Sequence, residues 1–276
     1  MKTLATAKDY TRISGLILIL LLSAGLSELK AQLILGSRTT AMGQAVTALP
    51  SDEWQVFGNP AMMNFEDNAA SFYGIRYYGF SELTDMALSG VYNHNFGTFG
   101  VGMHTYGDDI YRESRFRLAY AREYAGIRAG LVVNYTHFSI QDYGSAGSVV
   151  FDFGMAYTII DGLWLGARAT NLTQSTVGEA EEELPREMAV GISWSWSDRT
   201  VFTSDLVKDV RFPLSWRGGL EVRVVDQFVL RGGVTTEPLT YSAGMGYSMD
   251  RWGINIVAQQ HHVLGWSPGL DLRVSF

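Results

Sequence analysis

Apolar residues recur at every second position along most of the chain, in segments of about ten residues separated by turn residues. In one such segment the apolar face consists of Phe151, Phe153, Met155, Tyr157 and Ile159, and the other face is small or polar. A period of two indicates strands rather than helices. About fourteen segments follow from Ala69 onward, centred near residues 74, 91, 102, 119, 132, 154, 167, 191, 203, 219, 231, 244, 257 and 272. Near 203 the phase is ambiguous, because Val201 and Val207 alternate out of step with Phe202 and Leu206.

The polar face of these segments distinguishes a barrel from a soluble β-sandwich, which alternates in the same way. This face carries charged residues, and in a dry sandwich core each of them would need a partner. They are Arg128, Asp152, Arg168, Arg217, Glu221, Arg223, Asp271 and Arg273. A polar lumen accommodates such groups, and we interpret them as a packing and salt-bridge network in a narrow barrel rather than as a substrate track.

The connections and the C-terminus favour an outer-membrane barrel. Short turns are predicted at Gly97-Thr98, Asp161-Gly162, Ser197-Asp198, Asp226-Gln227 and Asp250-Arg251, and longer external loops at Tyr106–Ser114, Ser139–Gly147 and Thr173–Pro185. The last strand ends in Phe276, which resembles the signal read by the barrel assembly machinery. Tryptophans suit interfacial girdles, at Trp164, Trp194, Trp196, Trp216, Trp252 and Trp266. We therefore predict an all-β, transmembrane antiparallel β-barrel of about 14 strands in contact with outer-membrane lipid.

The N-terminus has the pattern of a signal peptide. Lys2, Lys8 and Arg12 precede an apolar run over residues 13–26, which is shorter than the ~20 residues of a spanning helix. A retained membrane helix is the alternative. We predict a signal peptide over 1–31, cleaved near Ala31, an N-terminal plug segment over 32–68 and a barrel over 69–276. The mature chain is expected in the outer membrane of a Gram-negative bacterium.

Composition and motifs argue against an enzyme. The chain has no cysteine, and its net charge of −7 disfavours a nucleic-acid partner. His261 and His262 are adjacent on a strand and point to opposite faces, so they cannot share one metal. No nucleophile elbow, zinc-binding helix or phosphate loop is present. We expect no catalytic residue, cofactor or metal, although a serine, histidine and carboxylate assembled across strands would leave no sequence motif.

Residues 32–68 do not alternate, and they carry the one family resemblance. A short helix is plausible over 40–48, and Asn59-Pro60 is a turn initiator. The run Ala41-Met42-Gly43-Gln44-Ala45, the acidic step Asp52-Glu53, and Asn59-Pro60-Ala61 resemble the opening of the PorV/PorQ family, which belongs with the FadL-like fourteen-stranded barrels. The resemblance implies that this segment plugs the barrel and that Asn59, Pro60 and Ala61 turn the chain into the first strand.

Two functions follow from the resemblance. A PorV/PorQ-type protein assists type IX secretion, with secretion components or secreted cargo as partners. A FadL-like protein is a passive transporter of a hydrophobic small molecule, gated by its plug. A barrel hydrolase is a third reading of a different class. The sequence favours the non-enzymatic functions. Our leading prediction is the PorV/PorQ-type secretion accessory, and the FadL-like transporter is the alternative, although the sequence cannot decide between these two.

Overall fold

The computed structural model describes residues 34–50, 52–178 and 181–276. The predicted signal peptide and its cleavage site lie outside these residues. Fourteen antiparallel strands close into one barrel, which confirms the predicted fold class and strand number. The barrel strands are β1 (Ala69–Arg76), β2 (Thr84–His94), β3 (Gly97–Gly107), β4 (Tyr111–Tyr124), β5 (Ile127–Ile140), β6 (Gly144–Ile160), β7 (Leu163–Ala169), β10 (Glu187–Ser197), β11 (Thr200–Asp209), β12 (Ser215–Val225), β13 (Phe228–Thr236), β14 (Leu239–Met249), β15 (Trp252–His261) and β16 (Gly265–Ser275).

Closure occurs between the first and last strands, where β1 pairs with both β2 and β16. Every other barrel strand is hydrogen-bonded to its neighbours in the chain, except that β7 pairs with β10. The segment between β7 and β10 contains a separate hairpin of two short strands, β8 (Thr176–Val177) and β9 (Glu182–Glu183). The wall therefore has no unpaired strand edge running its length.

The two ends of the barrel differ in their connections. At the short-turn end, two residues join consecutive strands at 95–96, 125–126, 161–162, 198–199, 226–227 and 250–251. At the loop end the connections are 77–83, 108–110, 141–143, 170–186, 210–214, 237–238 and 262–264. Two expectations were wrong: Gly97-Thr98 lies within β3, and most of Tyr106–Ser114 and Ser139–Gly147 is strand. These residues are strand because they pair in the ladder, Gly107 with Arg112 and Ile140 with Gly144.

Burial shows which residues of each strand point into the lumen and which point outward. Outward positions form an exposed apolar belt, and inward positions are small, polar or packed on the lumen contents. On β11, Phe202 and Leu206 face outward, whereas Val207 is buried and Val201 packs inside, which resolves the ambiguity near residue 203. Five of the predicted girdle tryptophans are exposed, but Trp164 is on the inward side of β7, in step with buried Arg168.

Residues 34–50 and 52–68 fill the lumen, and we call them the plug. The first helix, α1 (Ser37–Ala41), contacts β13, β14, β15 and β16, and 3₁₀ turns at Glu53–Val56 and Pro60–Met62 contact the strands β1 to β6. The helix expected over 40–48 was wrong, because Gly43 and Gln44 have positive φ angles of 62° and 59° and end the helical turn. No helix among the described residues is long and apolar enough to cross a membrane.

Candidate functional site

The plug rests on inward-facing glycines of the barrel wall. A Cβ on Gly166 would lie 2.2 Å from the carbonyl oxygen of Thr47, and one on Gly233 would lie 2.1 Å from the amide nitrogen of Gly43. Real Cβ atoms do not approach so closely, so only glycine allows plug and wall backbones to touch. We call this set the glycine seat: Gly100, Gly102, Gly130, Gly154, Gly166, Gly219, Gly233 and Gly244. It explains why the polar face of the alternation is rich in glycine.

An ion-pair chain ties the start of the plug to one side of the wall. The Arg38 guanidinium donates to both oxygens of Glu221, at 2.8 and 2.9 Å. Arg231 donates to the same carboxylate at 2.6 Å and to Asn255 at 2.8 Å. Asn255 in turn donates to Asp271 at 3.3 Å. A bidentate Arg–carboxylate pair with little exposure fixes geometry more firmly than a surface pair does.

Other polar contacts distribute the anchoring around the barrel. Glu53 accepts a hydrogen bond from the Ser71 hydroxyl and another from Arg273 at 3.2 Å. On the opposite side, the backbone N–H of Thr47 donates to Asp205 at 2.9 Å, and Thr235 donates to the carbonyl of Gly43 at 2.8 Å. The plug is thus attached to strands on several sides of the barrel.

Asn59, Pro60 and Ala61 form a buried turn pressed against β5, β6 and β7. The Asn59 side chain caps this turn by accepting from the Ala61 N–H at 3.1 Å, and it donates to the Thr47 carbonyl at 2.6 Å. The residue is fully buried, and a Cβ on Gly154 would meet its amide oxygen. The turn seats the plug, and the chain enters β1 only at Ala69, eight residues after Ala61.

Wall-to-wall ion pairs occupy the inward face from β4 to β12. Arg117 pairs with Asp152, and both are buried. Glu187 accepts from Arg168 and lies 3.4 Å from Arg217. These buried charges are compensated within the wall, as a low-dielectric interior requires. This side of the lumen is a polar network.

The lumen beside β1 to β5 is largely apolar, and we call this strip the apolar seam. The plug contributes Leu35, Trp54, Val56, Phe57 and Met63, which pack against Ala69, Tyr73, Ile75, Tyr77, Ala87, Val91, Ala119, Ala121 and Val132 of the wall and first loop. The wall residues Ala69 to Ile75 alone span roughly 20 Å at ~3.3 Å per residue. Phe65 adjoins the seam toward the short-turn end, and Leu83 and Tyr106 adjoin it at the loop end.

Several polar groups interrupt the seam, among them buried Ser71, which lies between Ala69 and Tyr73 on β1. His104, which is buried, places Nε2 2.7 Å from Asp85, and the Tyr77 hydroxyl donates to the same carboxylate at 2.9 Å. The hydrogen-bond partner of Nε2 in this histidine is therefore a carboxylate. Among the residues the structure describes, no group of three or more His, Asp or Glu side chains is placed to hold a metal ion.

An aromatic sandwich closes the lumen at the short-turn end. The Arg128 guanidinium lies 4.4 Å from the ring centroids of both Phe65 and Trp164. It also donates to Glu123 at 2.6 Å. Phe65 belongs to the plug and Trp164 to the wall, so the guanidinium of Arg128 forms a cation–π contact with each of them.

The other charged residues predicted for the lumen fall into two groups. Asp152, Arg168, Arg217 and Asp271 are buried, and Glu221 and Arg273 are partly buried and bonded to the plug. Arg223, in contrast, is exposed near the end of β12, in phase with Glu221, and its place in a lumen network stays a prediction. Phe276 is exposed at the short-turn end, and its N–H donates to the Asn68 carbonyl at 3.0 Å.

Several important charges were missed by the sequence reasoning. Arg117, Glu187, Asp205 and Arg231 occupy inward positions of their strands, so a stricter reading of the phase would have included them. Arg38 and Glu53 lie in the plug, which has no periodicity to assign a face. Their wall partners Glu221 and Ser71 are 183 and 18 residues away in sequence and meet them only in the closed barrel.

One plug carboxyl is electrostatically unusual. Asp52 caps the turn at Glu53–Val56 by accepting from the Trp54 N–H at 2.9 Å, and Arg38 lies 3.7 Å away. Burial, reinforced by repulsion from Glu53, raises the pKa of Asp52 to about 6. Arg38 opposes this shift only in part. Asp52 therefore binds its proton more tightly in the docked plug than it would in water.

Fold and site together define the class: a closed fourteen-stranded barrel whose own N-terminal segment fills the lumen. No family model and no curated protein matches the chain by sequence. In fold, the chain is similar to the Pseudomonas putida toluene transporter TodX, with a TM-score of 0.68 over 88% of this chain and 98% of that chain, at 13% identity. A Pseudomonas aeruginosa FadL homologue gives a TM-score of 0.54 over 90% and 98%, also at 13% identity.

A further structure of the same kind, the TodX deltaS2S3 mutant monoaromatic hydrocarbon channel, gives a TM-score of 0.62 over 87% of this chain and 98% of that chain, at 13% identity. The fold is therefore FadL-like, as the N-terminal resemblance implied. The comparisons contain no evidence for the PorV/PorQ family or for type IX secretion.

Proposed function

We propose that this chain is a plug-gated outer-membrane channel for hydrophobic small molecules. The observation that carries the proposal is the apolar seam, which follows the plug from the short-turn end to the loop end. A pore for polar solutes keeps a polar, water-filled lumen. Here the lumen beside β1 to β5 is lined by aromatic and aliphatic groups that match an apolar passenger.

The rim above the seam supports this assignment. Phe80, Ile110, Val263 and Leu264 are exposed at the loop end, with exposed fractions of 50 to 72%. They lie in the connections next to β1, β3 and β16, on the seam side of the barrel. Apolar groups at this rim would collect hydrophobic molecules and pass them to the Tyr77 and Tyr106 end of the seam.

Passage requires the plug to move, because the seam is packed and the described wall is closed by backbone hydrogen bonds. The contacts of the plug with the wall consist of glycine approaches and a limited number of side-chain bonds, which suits reversible undocking. The similarity in fold to TodX and to the FadL homologue, a toluene transporter and a relative of FadL, adds to this reading. That these neighbours are not enzymes agrees with a non-enzymatic role.

A type IX secretion accessory is the second candidate, supported by the resemblance to PorV/PorQ. The residues that carry the resemblance, including Met42, Ala45, Asn59 and Ala61, are buried in the plug apart from Gln44, which is partly buried. Seating of the plug explains them without an exposed docking surface, which favours the channel.

The chain has no cysteine, so an engineered disulfide can lock the plug. A Cβ on Gly244 would lie 2.7 Å from the Ala41 Cβ, close enough for Ala41→Cys/Gly244→Cys to crosslink α1 to β14 after a shift of about 1 Å. Intact cells that lack their own hydrophobic channels would express this variant, with Ala41→Cys alone as control. We expect labelled toluene to enter faster when the pair is reduced and at the background rate when it is oxidised.

A small sugar of similar size serves as the polar control and should be unaffected by the redox state. Equal entry of toluene with the plug locked and free would contradict the channel proposal. Co-purification of secretion components from the same membranes, with no toluene entry, would favour the accessory function instead.

A further inference from the structure

We propose that the outside of the barrel carries a binding site for one phospholipid with an ammonium headgroup, at the short-turn end across the β1–β16 closure. The site is an open groove of about 480 Å³ on the outward face of β1, β2, β3, β15 and β16. That volume lies within the range of small-molecule sites, roughly 300 to 1,000 Å³. The inference rests on the membrane placement proposed above but not on transport.

The groove exists because two small residues are paired across neighbouring strands. Ala70 on β1 faces Gly90 on β2, and both point outward. On either side of this pair stand Val274 of β16 and Val101 of β3, in the same row. The next row toward the loop end carries Phe72 and Leu88, 40 and 52% exposed, which close the groove on that side. The result is an apolar depression in a belt that is otherwise filled by large side chains.

Its position indicates a lipid tail rather than a soluble ligand. The groove is continuous with the exposed apolar belt and is bounded by Trp252, which is 66% exposed and is the first residue of β15. Tyr92, also exposed, lies one outward position beyond Gly90 on β2. Such amphipathic rings lie at headgroup level in membrane barrels, so the groove begins just inside the interface.

The charges beside Trp252 specify the headgroup. Arg251 precedes it in the turn between β14 and β15, is exposed, and forms no ion pair with any residue the structure describes. Its backbone carbonyl is held by the Ser275 N–H at 2.8 Å, so the turn is fixed against the end of β16. Exposed Asp250 precedes Arg251 in the same turn. One cation next to one anion matches a zwitterionic headgroup, with phosphate on Arg251 and ammonium toward Asp250.

Substitution at the floor tests the site without disturbing the fold. A Cβ on Gly90 would meet only Val101 at 3.5 Å and the Ala69 carbonyl at 3.7 Å, which are ordinary contacts. Gly90→Leu therefore fills the groove. The matched control is Gly74→Leu, on the outward face of β1 but outside the groove, where a Cβ meets nothing nearer than 3.8 Å. Ala70→Leu is a second groove-filling variant for use if Gly90→Leu does not fold.

The measurement is native mass spectrometry of the full chain, purified in mild detergent and then titrated with phosphatidylethanolamine or phosphatidylglycerol. We expect one retained phosphatidylethanolamine, at least about tenfold weaker binding in Gly90→Leu, and no change in Gly74→Leu. Arg251→Gln should weaken phosphatidylethanolamine binding while leaving the groove intact. A heat-dependent gel shift verifies that each variant is a folded barrel.

Four results would overturn the proposal. The first is that no lipid is retained, and the second is that Gly90→Leu and Gly74→Leu lose phosphatidylethanolamine equally. The third is that the species lost in Gly90→Leu is a lipidated protein or a second copy of the chain. The fourth is that phosphatidylglycerol binds as tightly as phosphatidylethanolamine or more tightly. None of these outcomes depends on toluene uptake. Failure of the lipid site and failure of the channel function are therefore distinguishable.

Discussion

The glycine seat makes a sharp prediction about Gly233. In Gly233→Ala, the new Cβ would lie 2.1 Å from the Gly43 nitrogen, 2.4 Å from the Met42 carbonyl carbon and 2.7 Å from the Gly43 Cα. All three atoms are backbone, so no side-chain rotation relieves the overlap, and the plug or β13 must shift. Overpacking of this kind costs about 1 to 3 kcal/mol. We expect this cost to fall on the docked plug, since the β13 ladder is held on both sides by its neighbours.

Plug opening can be measured directly in this cysteine-free chain. Ala45 in the plug is fully buried, so the labelling rate of Ala45→Cys by a maleimide reports how often the plug exposes it. A cost of 1 to 3 kcal/mol corresponds to a rate increase of roughly 5- to 150-fold. The control is Gly232→Ala on the same strand, where a Cβ meets nothing nearer than 3.9 Å. Equal labelling rates in the two variants would refute the glycine-seat argument.

Three further predictions use the same Ala45→Cys readout. Arg38→Met removes the plug cation bound to Glu221, whose charge Arg231 still partly compensates. The labelling rate should rise about 5- to 100-fold. A rate unchanged from the parent would count against the ion-pair anchor. Because the pKa of Asp52 is raised to about 6 in the docked plug, docking is strongest below about pH 4, weakens as the pH rises to about 6 and does not change further above it. The labelling rate divided by that of Asp52→Asn should therefore rise between about pH 4 and 6. A ratio of the two rates that does not change with pH would contradict the raised pKa of Asp52. Arg128→Met removes the cation of the aromatic sandwich and should raise labelling about 2- to 30-fold, whereas no change would show that the sandwich does not hold the plug.

The strand pattern of this protein was readable from sequence because the barrel has one simple rule. Lipid-facing and lumen-facing positions alternate along every strand, so number, approximate centres and phase follow from local residues. β11 is the exception, since Val201 and Val207 both lie on the inward side, Val201 against the plug, and break the contrast between the faces. The loop-end turns were also misjudged, because polar residues such as Asp108 and Asp109 mark a short turn as readily as a long loop.

The plug shows where local sequence reasoning stops. Asn59 was recognisable as a turn former, and it caps a turn. That its amide fits against Gly154, or that Arg38 meets Glu221 across 183 residues, depends on closure of the barrel around the plug. The same is true of Trp164, whose place in the sandwich is decided by an inward register rather than by its residue type.

An all-β chain of about fourteen alternating strands, with an apolar outer belt and a non-periodic N-terminal segment, follows from local residue patterns. Tertiary structure alone decided which lumen residues meet, because contacts between the plug and distant strands leave no local period. It also divided the lumen into a polar network and an apolar seam. That division, which underlies the proposed function, arises from which face of the plug turns toward β1 to β5.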